Sequence, residues 1–386
     1  MARAGNMAKF PLGQTAREVS AFLGEPEWLL RARLDAVALL EKRNGSAEIS
    51  GFRMAKGKMT VKHKLDGDAV LLTVPEALKR GNALREQMGR PLTGKEPDSY
   101  LLSLALFTDA RVVAVPAGRP ADISLEICGK PPEYFAFFFL FADNAEASVI
   151  AKTSFANNAE ECRALVLGKG ASVQFFSLQG NGKKSDSSLG LCARQAEESS
   201  LKFLNANFGG SETKDGFAFL QEGRGSRCEH YEVSLAQGKQ RYLKESNHFH
   251  LAPKTYSRSF FKYATADESQ VRVDGKVTIA HGAPGSDTHL LSKSLLLSGK
   301  SVSHVVPQLF VHNDDVIAGH GSAMAPLDGE ELFYLRSRGI DEQESKRLVL
   351  QGFLRELPSK AEMGAGISRA LSEEIEKETA AVSLSD

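Results

Sequence analysis

The sequence predicts a mainly β protein whose two ends are helical, and two observations carry this. From about Leu101 to Ala325, short apolar runs such as RVVAVPAG, SVIAKTSF, SVQFFSLQG, KVTIAHG and SVSHVVPQLFVHNDD are separated by Gly, Asn, Asp and Ser, as strands are separated by turns. On either side of that segment the apolar residues adopt the three-to-four-residue spacing of helices, which is scarce inside it. Many strands over more than 200 residues suit a pair of sandwiches, a large barrel or a β-solenoid, and no exact repeat chooses among them.

The elements follow in order. Pro26 suits a first helical turn, and Trp28, Leu30, Leu34, Val37 and Leu40 continue at helical spacing until Asn44 and Gly45 stop it. Pro75 opens a second helical stretch, PEALKRGNALREQMGR, weakened by Gly81. The longest apolar run, YFAFFFLFA from Tyr134 to Ala142, has nine residues, too few for the ~20 of a spanning helix, and reads as a buried strand. In the last run Val305, Leu309 and Val311 share one parity while His304, Gln308 and His312 share the other, as on a strand with one buried face. Beyond Leu327, ELFYLRSRGI places Leu332, Phe333 and Leu335 on a short helix with Arg336 and Arg338 near its Gly339 end, where cations meet the negative pole. Part of that apolar face is expected to dock on the β-core. Asp341 with Glu344 three residues on opens a further helix carrying Leu350, Phe353, Leu354 and Leu357 on one side, and Lys360 to Glu378 is a final charged helix. The expected division is a helical region 1–98 with short strands, a β-core 99–325, and a helical region 326–386.

Composition narrows the partners. Of 386 residues, 42% are hydrophobic and 25% charged, and Lys plus Arg equals Asp plus Glu at 48 each. A neutral chain has no overall field for nucleic acid or an acidic membrane, so neither is expected as a partner. MARAGNMAKF is followed by no apolar stretch, so the expected location is cytoplasmic. Cys128, Cys162, Cys192 and Cys228 lie 30 to 36 residues apart with no CxxC, a spacing that opposes a self-contained cluster or zinc site and suits reduced, mostly buried thiols. GxxxxGK[ST], GxGxxG opening a helix and GxSxG are absent, so any nucleotide energy would come from a partner.

Histidine is the unevenly placed residue, with eight of nine between His230 and His320. Cys228 and His230 share one strand face, as do His248 and His250. The HxH pair lacks the acidic follower of a cupin metal site and has Lys254 nearby instead. Asp314 and Asp315 could serve a β-helical carbohydrate-active enzyme if the backbone turns at Asn313, although capping that turn is their simpler purpose.

One stretch is long enough to identify a family. DDVIAGHGSAMAPLDGEELFYLRSRGI, from Asp314 to Ile340 and extended by DEQESKRLVLQGFLRE, resembles the SufB/SufD family. Further landmarks are HLAPKTYSRS at His250, SDTHLLSKSLLLSG at Ser286, PQL at Pro307, ALFTDARVVAVPAG at Ala105 and PEWLLRARLDA at Pro26. The chain looks closer to SufD than to SufB: DDVIAGHG keeps Asp314, Asp315, Val316, His320 and Gly321 of the pattern DDVKCSHG, but has Ala318 in place of its cysteine. Residues 229 to 386 contain no cysteine, where SufB-type chains supply a core thiol. Pro284, Ser294 and Phe310 also depart from the family pattern.

The resemblance implies a right-handed parallel β-helix between helical ends, serving as a non-enzymatic scaffold for iron-sulfur cluster assembly. It implies pairing with a SufB-like subunit, or with itself as a SufB-like homodimeric scaffold would, and binding of a SufC-type ABC ATPase. A transient iron-sulfur cluster is expected as cargo, with no stably bound cofactor; flavin is left open. His320 is the expected metal ligand, shared with the partner, and Asp314, Asp315, Gln308, Gly319 and Gly321 are expected at the dimer edge, the two glycines leaving room for a second subunit. Leu332, Phe333, Tyr334, Leu335, Arg336, Arg338, Gly339 and Ile340 are expected to bind the ATPase.

Overall fold

A computed structural model describes residues 9–46, 48–50, 58–80, 85, 91–182 and 184–382. The short strands β1 (Lys9–Pro11) and β2 (Glu48–Ser50) flank helices α1 (Leu12–Leu23) and α2 (Glu27–Asn44). After β3 (Lys58–Leu65), β4 (Val70–Thr73), α3 (Val74–Lys79) and α4 (Asp98–Leu106), the chain winds through sixteen consecutive strands. These are β5 (Asp109–Val115), β6 (Ala121–Lys130), β7 (Tyr134–Phe141), β8 (Glu146–Phe155), β9 (Ala159–Leu167), β10 (Ser172–Gln179), β11 (Ser187–Gln195) and β12 (Ser200–Asn207), followed by β13 (Glu212–Gln221), β14 (Arg227–Ala236), β15 (Arg241–His250), β16 (Tyr256–Thr265), β17 (Gln270–Ile279), β18 (Ser286–Leu296), β19 (Val302–Val311) and β20 (Val316–Pro326). Helices α5 (Gly329–Ser337), α6 (Glu342–Ala361) and α7 (Ala365–Ala380) close the chain.

From β5 onward each strand pairs in parallel with the strand two places on, so odd strands build one nine-stranded sheet with β4 and even strands build another with β3. The result is a β-solenoid of about eight turns with helices at both ends, the mainly β class expected. Parallel pairing in register stacks like positions coil upon coil: Phe175 of β10 lies beside Phe203 of β12, which lies beside His230 of β14. Alternate side chains enter the interior. There Phe139 meets Phe175 edge-on at 4.9 Å and Phe175 lies 5.8 Å from Phe203, giving the first coils a dry aromatic filling. YFAFFFLF is indeed a strand, β7, buried on both faces because the interior takes Phe135, Phe137 and Phe139 while the helices take Tyr134, Ala136 and Phe138.

Each sheet's outer face is covered by one helical end. Leu29, Val37, Leu101, Leu104 and Leu106 of α2 and α4 pack on Phe138, Cys162 and Cys192, and Leu350, Leu354, Leu357, Ile367, Leu371 and Ile375 of α6 and α7 pack on Leu204, Tyr231, Val233 and Leu235. As expected, α2 ends at Gly45 and Asp341 caps α6 through Glu344 N–H at 2.9 Å. The weakened Pro75 helix runs from Val74 to Lys79, with residues 81–84 and 86–90 outside the described part. The helix α4 is a correction: residues 101–106 belong to it, because its apolar sequence LLSLAL has no polar face to show a period. Arg33 joins α2 to it, fully buried over the Phe107 ring at 3.9 Å and donating to the carbonyls of Ala105 and Phe107 at 2.9 Å, with Glu25 neutralising it.

Helix α4 reaches the sheet through Gly190, where an added Cβ would stand 2.1 Å from the backbone nitrogen of Tyr100. Gly190→Ala should therefore push α4 off β11 and lower the thermal unfolding midpoint by several degrees, on the order of 2 kcal/mol or more for an overpacked site. Gly352→Ala, in open space on α6, is the matched control and should leave the midpoint unchanged or raised.

Candidate functional site

The two ends of the solenoid differ. At the first coil β3 runs antiparallel to β6 and folds Met59, Val61 and Leu65 over the core, while exposed Lys62 and Lys64 mark its free edge against further pairing. At the last coil β19 and β20 are the outermost strands of their sheets. Eight of the nine large exposed hydrophobic residues among those described fall between Val302 and Leu348, among them Phe310, Val311, Ile317 at 62% and Met324. Val305, Leu309 and Val316 are only partly buried against the core, for want of a next coil.

His320 stands exposed in the middle of β20, in register with Leu290 of β18, whose side chain is inside the solenoid. The alternation of side chains thus puts His320 on the core-facing side of the last coil, at its open mouth. Asp314 and Asp315 occupy the exposed turn before β20, where Asp315 N–H donates to Asn313 Oδ1 at 2.9 Å. Gln308 lies half-buried on β19 beside Lys276.

The two glycines beside His320 lie against the preceding coil. The space above Gly319 is occupied by this chain's own His289, whose Nε2 would be 2.8 Å from a Cβ there, and Gly321 faces Leu291 at 3.2 Å. Within this chain the glycines make room for side chains of the neighbouring coil. The expected docking of α5 on the β-core is corrected: none of its residues is buried, and Phe333 is 74% exposed. Tyr334 and Leu335, with Asp328, Glu330, Glu331, Leu348 and Val349, line a cleft of about 490 Å³ between α5 and α6. Leu332 and Ile340 are half-buried, and Arg336, Arg338 and Gly339 are exposed. Arg338 lies 5.2 Å over the Tyr334 ring.

Two features escaped the sequence. A cleft of about 710 Å³ opens beside α2 and α4 where they leave the odd sheet, its cations already matched in the pairs Lys214–Glu212, Lys244–Asp215, Arg272–Asp274 and Lys276–Glu245. The second is a change in the interior from aromatic to polar at the middle coils. Lys244 Nζ lies 2.8 Å from Asp215 and 3.7 Å from Glu232, and Tyr263 donates to Glu232 at 2.6 Å. Burial opposes the Glu232 charge, but Lys244, His230 and Tyr263 overcome it and hold its carboxyl down at about 2. His230 and His248 continue the aromatic stack, each meeting Phe219 within 5 Å.

The shared faces of Cys228 with His230 and of His248 with His250 are as expected, and all four side chains are inside. His230 meets Ser246, His248 meets Ser259, and His250 meets Thr255 and Ser257, so these imidazoles are engaged in packing. Cys162, Cys192 and Cys228 are buried and Cys128 is half-buried; burial pushes the Cys228 thiol up, away from reactive thiolate.

A winding of parallel strands with an uncovered last coil defines a β-solenoid class, and comparison with known proteins names the family. Residues 137–353 match the family described as "SUF system FeS cluster assembly, SufBD core domain". The chain belongs to this SufB/SufD family of the SUF iron-sulfur cluster assembly system. It is 28% identical over 166 residues to the iron-sulfur cluster assembly protein SufB of Bacillus subtilis, covering 42% of this chain and 36% of that one. It is 32% identical over 101 residues to SufD of Escherichia coli, 26% and 24% of the two chains. A SufBD family protein of Mycobacterium leprae is 42% identical over 87 residues, 22% of each. The matches thus span about a third or less of these relatives' lengths. Among the described residues no helix is long and apolar enough to cross a membrane.

The inner histidines predict an acid-labile contribution to the fold. Burial lowers all three, His250 to about 4 and His230 and His248 in the same direction. The unfolded chain binds these protons more tightly, near 6.5, so their contribution is complete above pH 6.5 and is lost as pH falls through the folded values. Glu160, which burial raises to about 7, acts oppositely, losing its contribution as pH rises from 4.5 to 7. Burial raises Glu133 and Glu161 in the same direction as Glu160, so three carboxyls oppose the three histidines, and the histidine contribution is read as the His250-dependent part of the slope of the unfolding midpoint between pH 6.5 and 4. His250→Asn should remove that part, measured by circular dichroism melts; an unchanged slope would show that His250 is not held neutral inside.

Proposed function

We propose that this chain is a SufD-like scaffold subunit that pairs through its last coil with a SufB-like partner and carries a SufC-like ABC ATPase on its C-terminal helices. The observation that carries the reading is the contrast between the capped first coil and the uncapped last one, which bears Ile317, Met324, Phe310 and His320 in the open. Backbone groups on a free parallel edge and apolar side chains beside them gain from a partner strand. Its relatives in B. subtilis and E. coli bear the names SufB and SufD, which supports pairing between unlike members of one family. The absence of a cysteine after Cys228 supports the SufD side of that pair and weighs against a self-sufficient homodimer.

The chemistry asked of this chain is modest. A neutral His320 imidazole can hold iron, while the thiolates for a nascent cluster come from the partner. One imidazole leaves a cluster labile enough to hand on. The exposed Phe333 and Tyr334 with the cleft between α5 and α6 form an apolar, acid-rimmed surface suited to the ATPase, whose closure would move α6 against β14 and β16, on which it packs. The cluster is cargo, and the binding of ATP belongs to the partner. The division at residues 98 and 325 then reads as a helical clasp, a scaffold and an ATPase-binding end, all proposed as parts of one device.

Co-expression tests this. The chain should co-purify with a SufB-like subunit and a SufC-like ATPase. Ile317→Asp should lower pairing at least tenfold while leaving ATPase binding intact, and truncation after Leu327 should remove the ATPase. His320→Ala should leave the complex assembled but deplete the anaerobic iron-sulfur absorption. A complex that forms equally well with Ile317→Asp, or holds normal cluster with His320→Ala, would overturn the assignment of this edge.

A further inference from the structure

We propose that His281 and His312 form a bis-imidazole site for a borderline divalent metal ion at the corner joining the last two coils. The two residues are 31 apart in sequence and come together only because β17 and β19 pair in parallel, with Ile279 beside Val311. His281 is the second residue after β17 and His312 the first after β19, so both imidazoles leave the same corner from successive coils. Their ring centroids are 5.4 Å apart and their planes tilted by 43°. Two imidazoles sharing one tetrahedral ion, with metal-nitrogen distances of ~2.0–2.1 Å, place their ring centres about 5.3 Å apart. The observed ring separation therefore matches that of two imidazoles on one ion, and both rings are exposed and can turn toward it.

The backbone at this corner is fixed. His312 N–H donates to Ile279 O at 2.9 Å, and Asn313 Nδ2 donates to the carbonyl of His281 at 2.8 Å, tying the two coils together under the rings. Asp314 and Asp315, both exposed, follow His312 after Asn313 and add negative charge to the turn that leaves this corner. Of the other histidines of the coiled segment, all but His320 are engaged differently. His230, His248 and His250 bond inner hydroxyls, His289 faces Asp287 at 3.7 Å, and His304 meets Arg272 at 3.4 Å. Among the described residues no three donors converge, so water or a partner's side chain completes the coordination. Imidazole nitrogens select first-row ions such as Fe²⁺, Co²⁺ and Zn²⁺ over Mg²⁺ or Ca²⁺. On the assembly reading above, the ion is ferrous iron gathered at the rim of the same open coil that presents His320.

Co²⁺ titration of the purified full-length chain, followed by its visible absorption, tests the site. Wild type should bind one Co²⁺ at the corner. Affinity should fall at least tenfold in His281→Ala and in His312→Ala, and remain unchanged in His320→Ala. Zn²⁺ should raise the thermal midpoint of wild type but not of His281→Ala/His312→Ala, whose melting without metal should match wild type because both rings are exposed. Absence of Co²⁺ and Zn²⁺ binding up to millimolar concentration, or binding that survives both corner substitutions, would overturn the proposal. Co-purification with the SufB-like and ATPase partners is scored separately. Metal binding without a complex retains this site and discards the assembly reading, and a complex without metal binding does the reverse.

Discussion

The parallel, in-register strand ladder governs the rest of this structure. Every coil satisfies the backbone groups of the one before it and leaves its own outer row for the next, so the ladder can grow but cannot close on itself. An antiparallel strand ends it at the first coil, where β3 lays apolar side chains over the core and lysines along its free edge. Among the described residues the last coil has no such termination. Its half-buried Val305, Leu309 and Val316 and its exposed Ile317 and Met324 are what interior and surface positions look like when one more layer is needed. The functional proposal grows from that incompleteness.

The ladder also explains why the interior can change character along its length. Because positions stack, one column passes from Phe175 through Phe203 to His230 and on through Ser259 and Leu290 to His320 at the mouth. Dry aromatic packing supplies cohesion in the early coils. The middle coils hold Asp215, Lys244 and Glu232 in contact, an arrangement that contributes little net stability because desolvation offsets attraction, but that tolerates no slip in register. A one-residue shift would turn these charges outward and bring the outer apolar face in.

The helices divide the two outer faces between them. Arg33 and Gly190 fix the N-terminal helices on the odd sheet, one by a buried cation among carbonyls and the other by making room for Tyr100. The C-terminal helices cover the even sheet with α6 and α7, leaving α5 standing off with Phe333 and Tyr334 in solvent. An apolar pair that its own chain does not bury is a contact surface offered to another molecule.

Much of this was legible in the residues. The helical ends, the buried strand at Tyr134, the parity of Val305 and Leu309, the cap at Asp341 and the common direction of His248 and His250 all follow from local geometry, which depends on neighbours within a few positions. The family was legible in the continuous block from Asp314 to Ile340, and with it the solenoid that periodicity alone left open beside barrel and sandwich. Period-two alternation states which side chains turn inward, not which strand lies alongside. Only the tertiary structure decided the partners: that Gly319 and Gly321 give way to His289 and Leu291, that α5 stays off the core, that α4 is a helix wedged on Gly190, and that His281 meets His312. These contacts join residues tens of positions apart through the stacking of whole coils. No local pattern encodes that distance, since it is set by the summed length of every strand and turn in one winding.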